Sequence, residues 1–184
     1  MAEERKIILG FDVGAKTLLP YLLNQKIKII DYIIVSHFDT DHIKGLFTVI
    51  EKLKVKNIII GEQFEITNNY KELIKIANKK RIRMYITKAG QRVNIEKDLY
   101  LDILWPNPSN VIIENCINNN SLVFKFIYKN LSILFTGDIE EIAEVALLEK
   151  YKSNYKILES TVLKVAHHRF ENIFYRSFLK RGKA

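Results

Sequence analysis

At 184 residues the chain has room for one domain and hardly for two. Hydrophobic residues at 48% against 27% charged describe a folded globular chain and exclude a disordered one. Lys and Arg number 29 against 21 Asp and Glu, a net +8 that suits an acidic partner such as nucleic acid or an anionic membrane surface; a composition rich in isoleucine, lysine and asparagine gives the same excess with no function attached.

In chain order, Ile7 to Phe11 is an apolar run of buried-strand type, followed by a turn at Asp12-Val13-Gly14. Leu18 to Asn24 reads as a short helix that accepts Pro20 in its first turn. Tyr32 to Val35 is a β-branched and aromatic strand running into Ser36-His37. Ile43, Leu46, Phe47, Ile50 and Leu53 then fall at helical spacing, which predicts a helix over 43–53.

Next come a strand at Asn57–Ile60, a helix at Tyr70–Lys80, and strands at Ile82–Ile86 and Leu99–Trp105, the last closed by Pro106 and Pro108. Ser121–Tyr128 and Leu131–Phe135 form a hairpin about Lys129-Asn130. A helix over Glu140–Lys150 carries acids in its first turn, where they complement the dipole. Val162–Val165 is the last strand, and Phe170–Leu179 suits an amphipathic helix with a basic tail. Alternation followed by a hairpin indicates an α/β layered fold with mixed sheets in a single domain over 1–184.

A lone cysteine, Cys116, excludes an intramolecular disulfide framework and a Cys-rich zinc module. No run nears the ~18 apolar residues of a membrane span, and no secretory signal follows Met1. The expectation is a chain without membrane insertion: cytoplasmic as it stands, or extracytoplasmic and membrane-associated within a larger protein.

The four histidines fall in two places, His37 with His42 and His167 with His168. His37-Phe38-Asp39-Thr40-Asp41-His42 offers four ligand side chains within six residues. A divalent cation balances such a cluster by binding neutral imidazoles and ionised carboxylates, although a solvated loop can carry the same residues. Asp138, after Phe135-Thr136-Gly137, and the His167-His168 pair also follow strands, where ligands gather in α/β folds; taken alone, Gly137-Asp138 is a turn signal.

The order His37-x-Asp39-x-Asp41-His42, then Asp138, then His167-His168 resembles the metallo-β-lactamase superfamily, with Asp39 where the signature His-x-His-x-Asp-His has its second His. Within it, the chain looks like the soluble hydrolase domain of the ComEC-type competence proteins, which act in DNA uptake. The similar stretches are 11–14, 19–22, 35–46, 119–123, 134–140 and 163–168, so the resemblance covers about residues 7–168 and leaves 169–184 as a divergent basic tail.

The resemblance implies a four-layer αββα sandwich, apparently truncated at both ends, and a centre for two divalent ions, manganese or zinc. His37 and Asp39 would hold one ion, and Asp41 and His42 the other. Asp138 would bridge them, and His167 or His168 would complete the second site. Asp12 would support the ligand loop from outside the coordination sphere. Two ions clamp a phosphodiester and activate water, with Asp41 or Asp138 as the proton acceptor. Asp39 in place of an imidazole hardens the donor set, which brings manganese into consideration beside zinc.

The expected activity is a phosphodiesterase or nuclease linked to DNA uptake, with single-stranded DNA as substrate and a membrane channel subunit or domain as a further partner. Alternatives are a catalytically incomplete DNA-binding remnant and a small-molecule hydrolase of the same fold. Lys164 and Arg169 are candidate substrate contacts.

Two departures bear on this reading. Many members place a further His before a strand like 121–128, where this chain has Cys116-Ile117-Asn118-Asn119-Asn120; Asn118 or Asn119 could offer an amide oxygen, and Cys116 a thiolate or a small apolar filler. Relatives also continue His-His-Gly-Ser where this chain reads His167-His168-Arg169-Phe170. Basic clusters at Lys52, Lys54 and Lys56, at Lys79, Lys80, Arg81 and Arg83, and at Arg176, Lys180, Arg181 and Lys183 are candidate phosphate-tracking surfaces or solvated faces. Tyr70, Tyr85 and Trp105 are candidate base-stacking or core residues.

Overall fold

The computed structural model describes residues 12–166. The expected strand at 7–11, the helix at 170–179 and the residues His167, His168 and Arg169 lie outside that range. The first described element corrects an expectation. Where Asp12-Val13-Gly14 reads as a turn, the chain is already helical, as a π-helical turn over Gly14–Leu18 that passes into α1 (Leu19–Asn24). Asp12 explains this: its Oδ1 accepts from Ala15 N at 3.0 Å and its carbonyl from Lys16 N at 2.9 Å, which satisfies donors at the helix start. Pro20 sits in the first turn of α1, where its missing N–H costs nothing.

A three-stranded sheet is parallel throughout: β1 (Ile29–Val35), β2 (Lys54–Gly61) and β3 (Arg83–Thr87), in that order. The crossovers are α2 (Thr40–Lys52) and α3 (Asn68–Lys80). Ile43 and Ile50 of α2, with Leu73, Ile76 and Ala77 of α3, bury against Ile33, Val35, Ile58 and Ile60. Each such aliphatic side chain contributes on the order of 1.5–3 kcal/mol when fully buried. Thr67 caps α3 by accepting from Tyr70 N at 3.0 Å, and Arg81, in the left-handed region at φ 54°, ends it.

The second sheet has five strands in sequence order: β4 (Arg92–Glu96), β5 (Leu99–Trp105), β6 (Val123–Tyr128), β7 (Leu131–Phe135) and β8 (Val162–Lys164). The first four form an antiparallel meander, and β8 pairs parallel with β7. β4 escapes the sequence reading because RVNIE is short and has only two apolar positions, Val93 and Ile95, neither fully buried. The α4 turn (Cys116–Asn119) escapes it because a polar Asn run carries no apolar period. α5 (Glu141–Lys150) packs Ala143 and Leu147 against Leu134, Leu104 and Trp105.

Between the sheets, Ile59, Leu101, Ile103, Leu122 and Phe124 form an apolar layer with Ile34, Tyr85 and Phe135 around it. Helices therefore cover the outer face of each sheet and side chains fill the space between them, which is the expected αββα order. Among the described residues no helix is long and apolar enough to cross a membrane.

Candidate metal centre

β1 delivers the first ligand. Its apolar run ends at Val35, and the chain passes Ser36 to reach His37, which is buried. His37 Nδ1 lies 3.0 Å from Ser36 Oγ, while Nε2 is buried with no hydrogen-bond partner among the described residues. Placing the proton on Nδ1, donated to Ser36, leaves Nε2 with an open lone pair. Burial, then the neighbouring His42, pushes the His37 pKa below the ordinary 6.5 despite the opposing carboxylates of Asp138, Asp39 and Asp41. The ring is thus neutral at pH 7, the form in which imidazole binds a metal.

Asp39 and the first turn of α2 come next. Asp39 is extended, at φ −67° and ψ 147°, and its carbonyl accepts from His42 N and Ile43 N, both at 3.1 Å. This starts α2 one residue later and aims His42 back over His37, with ring centroids 4.2 Å apart. Asp41, in the same turn, is largely exposed, with its Oδ2 3.6 Å from His42 Nε2.

Asp138 arrives from the second sheet. β7 ends at Phe135, Thr136 is fully buried, and Gly137 turns the chain at φ 58°. A Cβ on Gly137 would lie 2.6 Å from Ser121 Cβ, so glycine is required there both for its backbone angle and for its size. Asp138 is buried and places Oδ2 3.1 Å from His42 Nε2. Burial raises its pKa, but Lys164, His42 and His37 together outweigh burial and hold the carboxyl below its ordinary value. One donor atom each from His37, His42 and Asp138 lies within 4.8 Å of the others. Two neutral-capable imidazoles, an ionised carboxylate and an orphaned buried nitrogen fit a divalent cation.

His37 and His42 share one cluster with Asp138, because the short link Ser36–Asp39 between β1 and α2 brings the first turn of α2 back over His37. Asp39 and Asp41 are not in that cluster. Among the described residues Asp12 makes no hydrogen bond to a candidate ligand side chain; its Oδ2 accepts from Thr48 Oγ1 at 2.8 Å, so it ties its own turn to α2. The same turn packs so closely that a Cβ on Gly14 would come within 1.9 Å of Gly45 O. Asp12, Gly14, Leu18, Asp41, His42 and Lys44 face a groove of about 720 Å³ beside the cluster.

Of the two asparagines offered as amide donors, Asn119 is committed elsewhere. Its Oδ1 accepts from Glu140 N at 2.9 Å, and its Nδ2 donates to Glu114 O and Glu140 Oε2. Asn118 Oδ1 is buried without a partner among the described residues. Burial, then the charge of Glu65, raises the Cys116 pKa despite Asn120 Nδ2 at 3.4 Å from its sulfur, so the side chain is a thiol rather than a poised thiolate. Trp105 is buried and donates Nε1 to Asn119 O at 2.8 Å, which removes it as a base-stacking platform. Tyr70 packs edge-on to Phe38, and Tyr85 borders the inter-sheet layer.

Among the lysines, Lys56 pairs with Asp31, and Lys52, Lys54 and Lys80 surround a hollow of about 330 Å³ where β2 begins, at the opposite end of the parallel sheet from His37. Lys164, a candidate substrate contact in the sequence, reaches Asp138 from β8, and Ser121, which the sequence reading left unassigned, packs against the Gly137 turn.

The profile of the Metallo-beta-lactamase superfamily matches residues 3–183. The chain belongs to that superfamily. Members of the metallo-beta-lactamase superfamily are typically metal-dependent hydrolases, and the two-sheet α/β architecture is that of the fold. The chain is 29% identical over 158 residues to ComE operon protein 3 of Bacillus subtilis (strain 168), a match covering 86% of this chain and 19% of that protein. It therefore spans about a fifth of that relative's length. Among solved structures it is similar to a mutant of the CmlA beta-hydroxylase, at 11% identity and TM-score 0.48 over 69% of this chain and 24% of the other. A diphosphatase from the PhnP family is similar at 13% identity and TM-score 0.41 over 84% and 77%.

Proposed function

We propose that the chain is one hydrolytic domain that cleaves phosphodiesters of single-stranded DNA with divalent metal, manganese or zinc, in the setting of DNA uptake that the ComEC-type resemblance implies. The observation that carries this reading is the buried, unpartnered Nε2 of His37, close to His42 and to an ionised Asp138. A metal bound there supplies a Lewis acid for a phosphoryl oxygen and lowers the pKa of water. His37, His42 and Asp138 would hold one ion; Asp39, Asp41 and His167 or His168 would add donors for a second. Ser36 keeps the His37 ring oriented through Nδ1. Asp41, exposed in the first turn of α2 and on the groove wall, is the carboxylate free to take a proton from water. Asp12 and the Gly14–Gly45 contact hold the groove's outer wall on α2.

Elemental analysis of the purified protein should find manganese or zinc, and single-stranded DNA should be cleaved when either is supplied. His37→Ala and Asp138→Ala should both abolish cleavage. Cleavage retained in both variants would refute the reading. Salt-sensitive DNA binding without turnover at any metal would replace it with that of an incomplete, non-catalytic site.

A further inference from the structure

Lys164 is built into the centre from the neighbouring strand. The parallel pairing of β8 with β7 sets Lys164 beside Phe135. The fully buried Thr136 pins its backbone, donating Oγ1 to Lys164 O at 2.7 Å. The side chain then returns toward β7, and Nζ donates to Gly137 O at 2.7 Å and to Asp138 Oδ1 at 3.2 Å. The two oxygens of Asp138 thus face different partners: Oδ2 the imidazole of His42, Oδ1 the ammonium of Lys164. A carboxylate can bridge two cations by giving one oxygen to each. Here one of those positions already holds a positive charge.

We propose that Lys164 is a resident cation that competes with a second divalent ion for Asp138 Oδ1, so that the centre loads in two unequal steps. This rests on the reading of His37, His42 and Asp138 as metal ligands. The first ion uses their clustered donor atoms and leaves Lys164 in place. A second ion held through Oδ1 would require the ammonium to move away from it. That movement is open to it: the Lys164 side chain is 45% exposed, and the backbone pinned by Thr136 need not follow. Lysine suits such a role, because its charge is compact, strongly hydrated and carried on a flexible stem. Once displaced, the ammonium stays tethered beside the centre, where a phosphate anion is its natural partner. This assigns to one side chain both the restraint on metal loading and a substrate contact.

The test is a manganese titration of the metal-free protein without substrate, following free ion and the exchange-coupled ion pair by electron paramagnetic resonance. The wild-type chain should bind a first ion tightly and a second more weakly. An opposite charge at hydrogen-bond distance changes a carboxylate's affinity for a competing cation about tenfold or more, so K164Q should tighten the second step by that factor and leave the first unchanged. K164R keeps the charge and should keep the wild-type spacing. In the wild-type protein itself, acetylation of Lys164, read by mass spectrometry, should accelerate as the second ion loads. Two equal steps in the wild type, unchanged spacing in K164Q, or a Lys164 acetylation rate indifferent to the second ion would overturn the inference. Absence of any metal binding would overturn the metal reading itself, whereas binding without DNA cleavage would overturn the proposed activity and leave the role of Lys164 standing.

Discussion

Replacing Gly137 by alanine tests whether the turn before Asp138 is as constrained as it looks. Gly137 sits at φ 58°, and a Cβ there would meet Ser121 Cβ at 2.6 Å, Ser121 Oγ at 3.1 Å and Ser36 Cβ at 3.4 Å. Two independent costs follow. An alanine in the left-handed region costs about 1–2 kcal/mol relative to glycine. Forcing the methyl into a packed contact costs about 1–3 kcal/mol more. Gly137→Ala should therefore destabilise the metal-free protein by about 2–5 kcal/mol in urea denaturation. The two costs separate in a double-mutant cycle with Ser121→Gly. That change removes the contacts at 2.6 and 3.1 Å and leaves Ser36 Cβ at an ordinary van der Waals distance. In that background Gly137→Ala should lose only the backbone cost, about 1–2 kcal/mol. Equal penalties in both backgrounds would refute the steric half of the argument. No penalty in either would refute both.

Asn119→Ala should cost about 3–5 kcal/mol in the same assay, because it strips partners from the half-buried Glu140 N, from Glu114 O and from the Glu140 carboxylate at the start of α5; a shift under about 1 kcal/mol would show that these bonds are not structural. Asp102→Asn, by contrast, breaks an Arg92 pair whose arginine is half-exposed and should cost less than about 1 kcal/mol. The metal-free protein should lose stability with falling pH. Burial, then His42, depresses the pKa of His37, and Asp138 is depressed because Lys164, His42 and His37 overcome its burial. Both folded values lie below the unfolded ones, so the unfolded chain takes up protons first. The His37 contribution is complete above about pH 6.5 and fades below it, and that of Asp138 is lost further into acid. Urea midpoints should be lower at pH 5.5 than at pH 7.5 and should converge in His37→Asn; identical midpoints in the wild-type chain would contradict this.

Elements whose apolar period was long enough to bury a full face were legible in the residues alone. The α2 stripe of Ile43, Leu46, Phe47 and Ile50, the isoleucine run of β2 and all of β5 appear where the periodicity places them, within a few residues at their ends. Those ends moved because caps and register, not periodicity, set them: Asp39 starts α2 three residues before Ile43, and parallel pairing with Lys54 and Val55 extends β1 back to Ile29. β4 and α4 carried no such signal, being held by pairing with β5 and by the hydrogen bonds of the Asn115–Asn120 segment.

The centre divides in the same way. Residue chemistry marked the ligand-dense His37–His42 segment, whereas Asp138, a turn signal taken alone, was singled out by the order of the clusters and the resemblance they carry. Which of them share a cluster was a tertiary decision. His42 folds onto His37 because only the short link Ser36–Asp39 separates the strand from α2, and Asp138 reaches both because Gly137 turns back over Ser121. Lys164 shows the division most sharply. It lies 26 residues after Asp138, and a parallel register between β7 and β8 is what sets its ammonium on the carboxylate. Ligand chemistry is a property of side chains and can be read one residue at a time. Contacts between side chains far apart in the chain depend on which strands pair and in which register, and those the folded core decides.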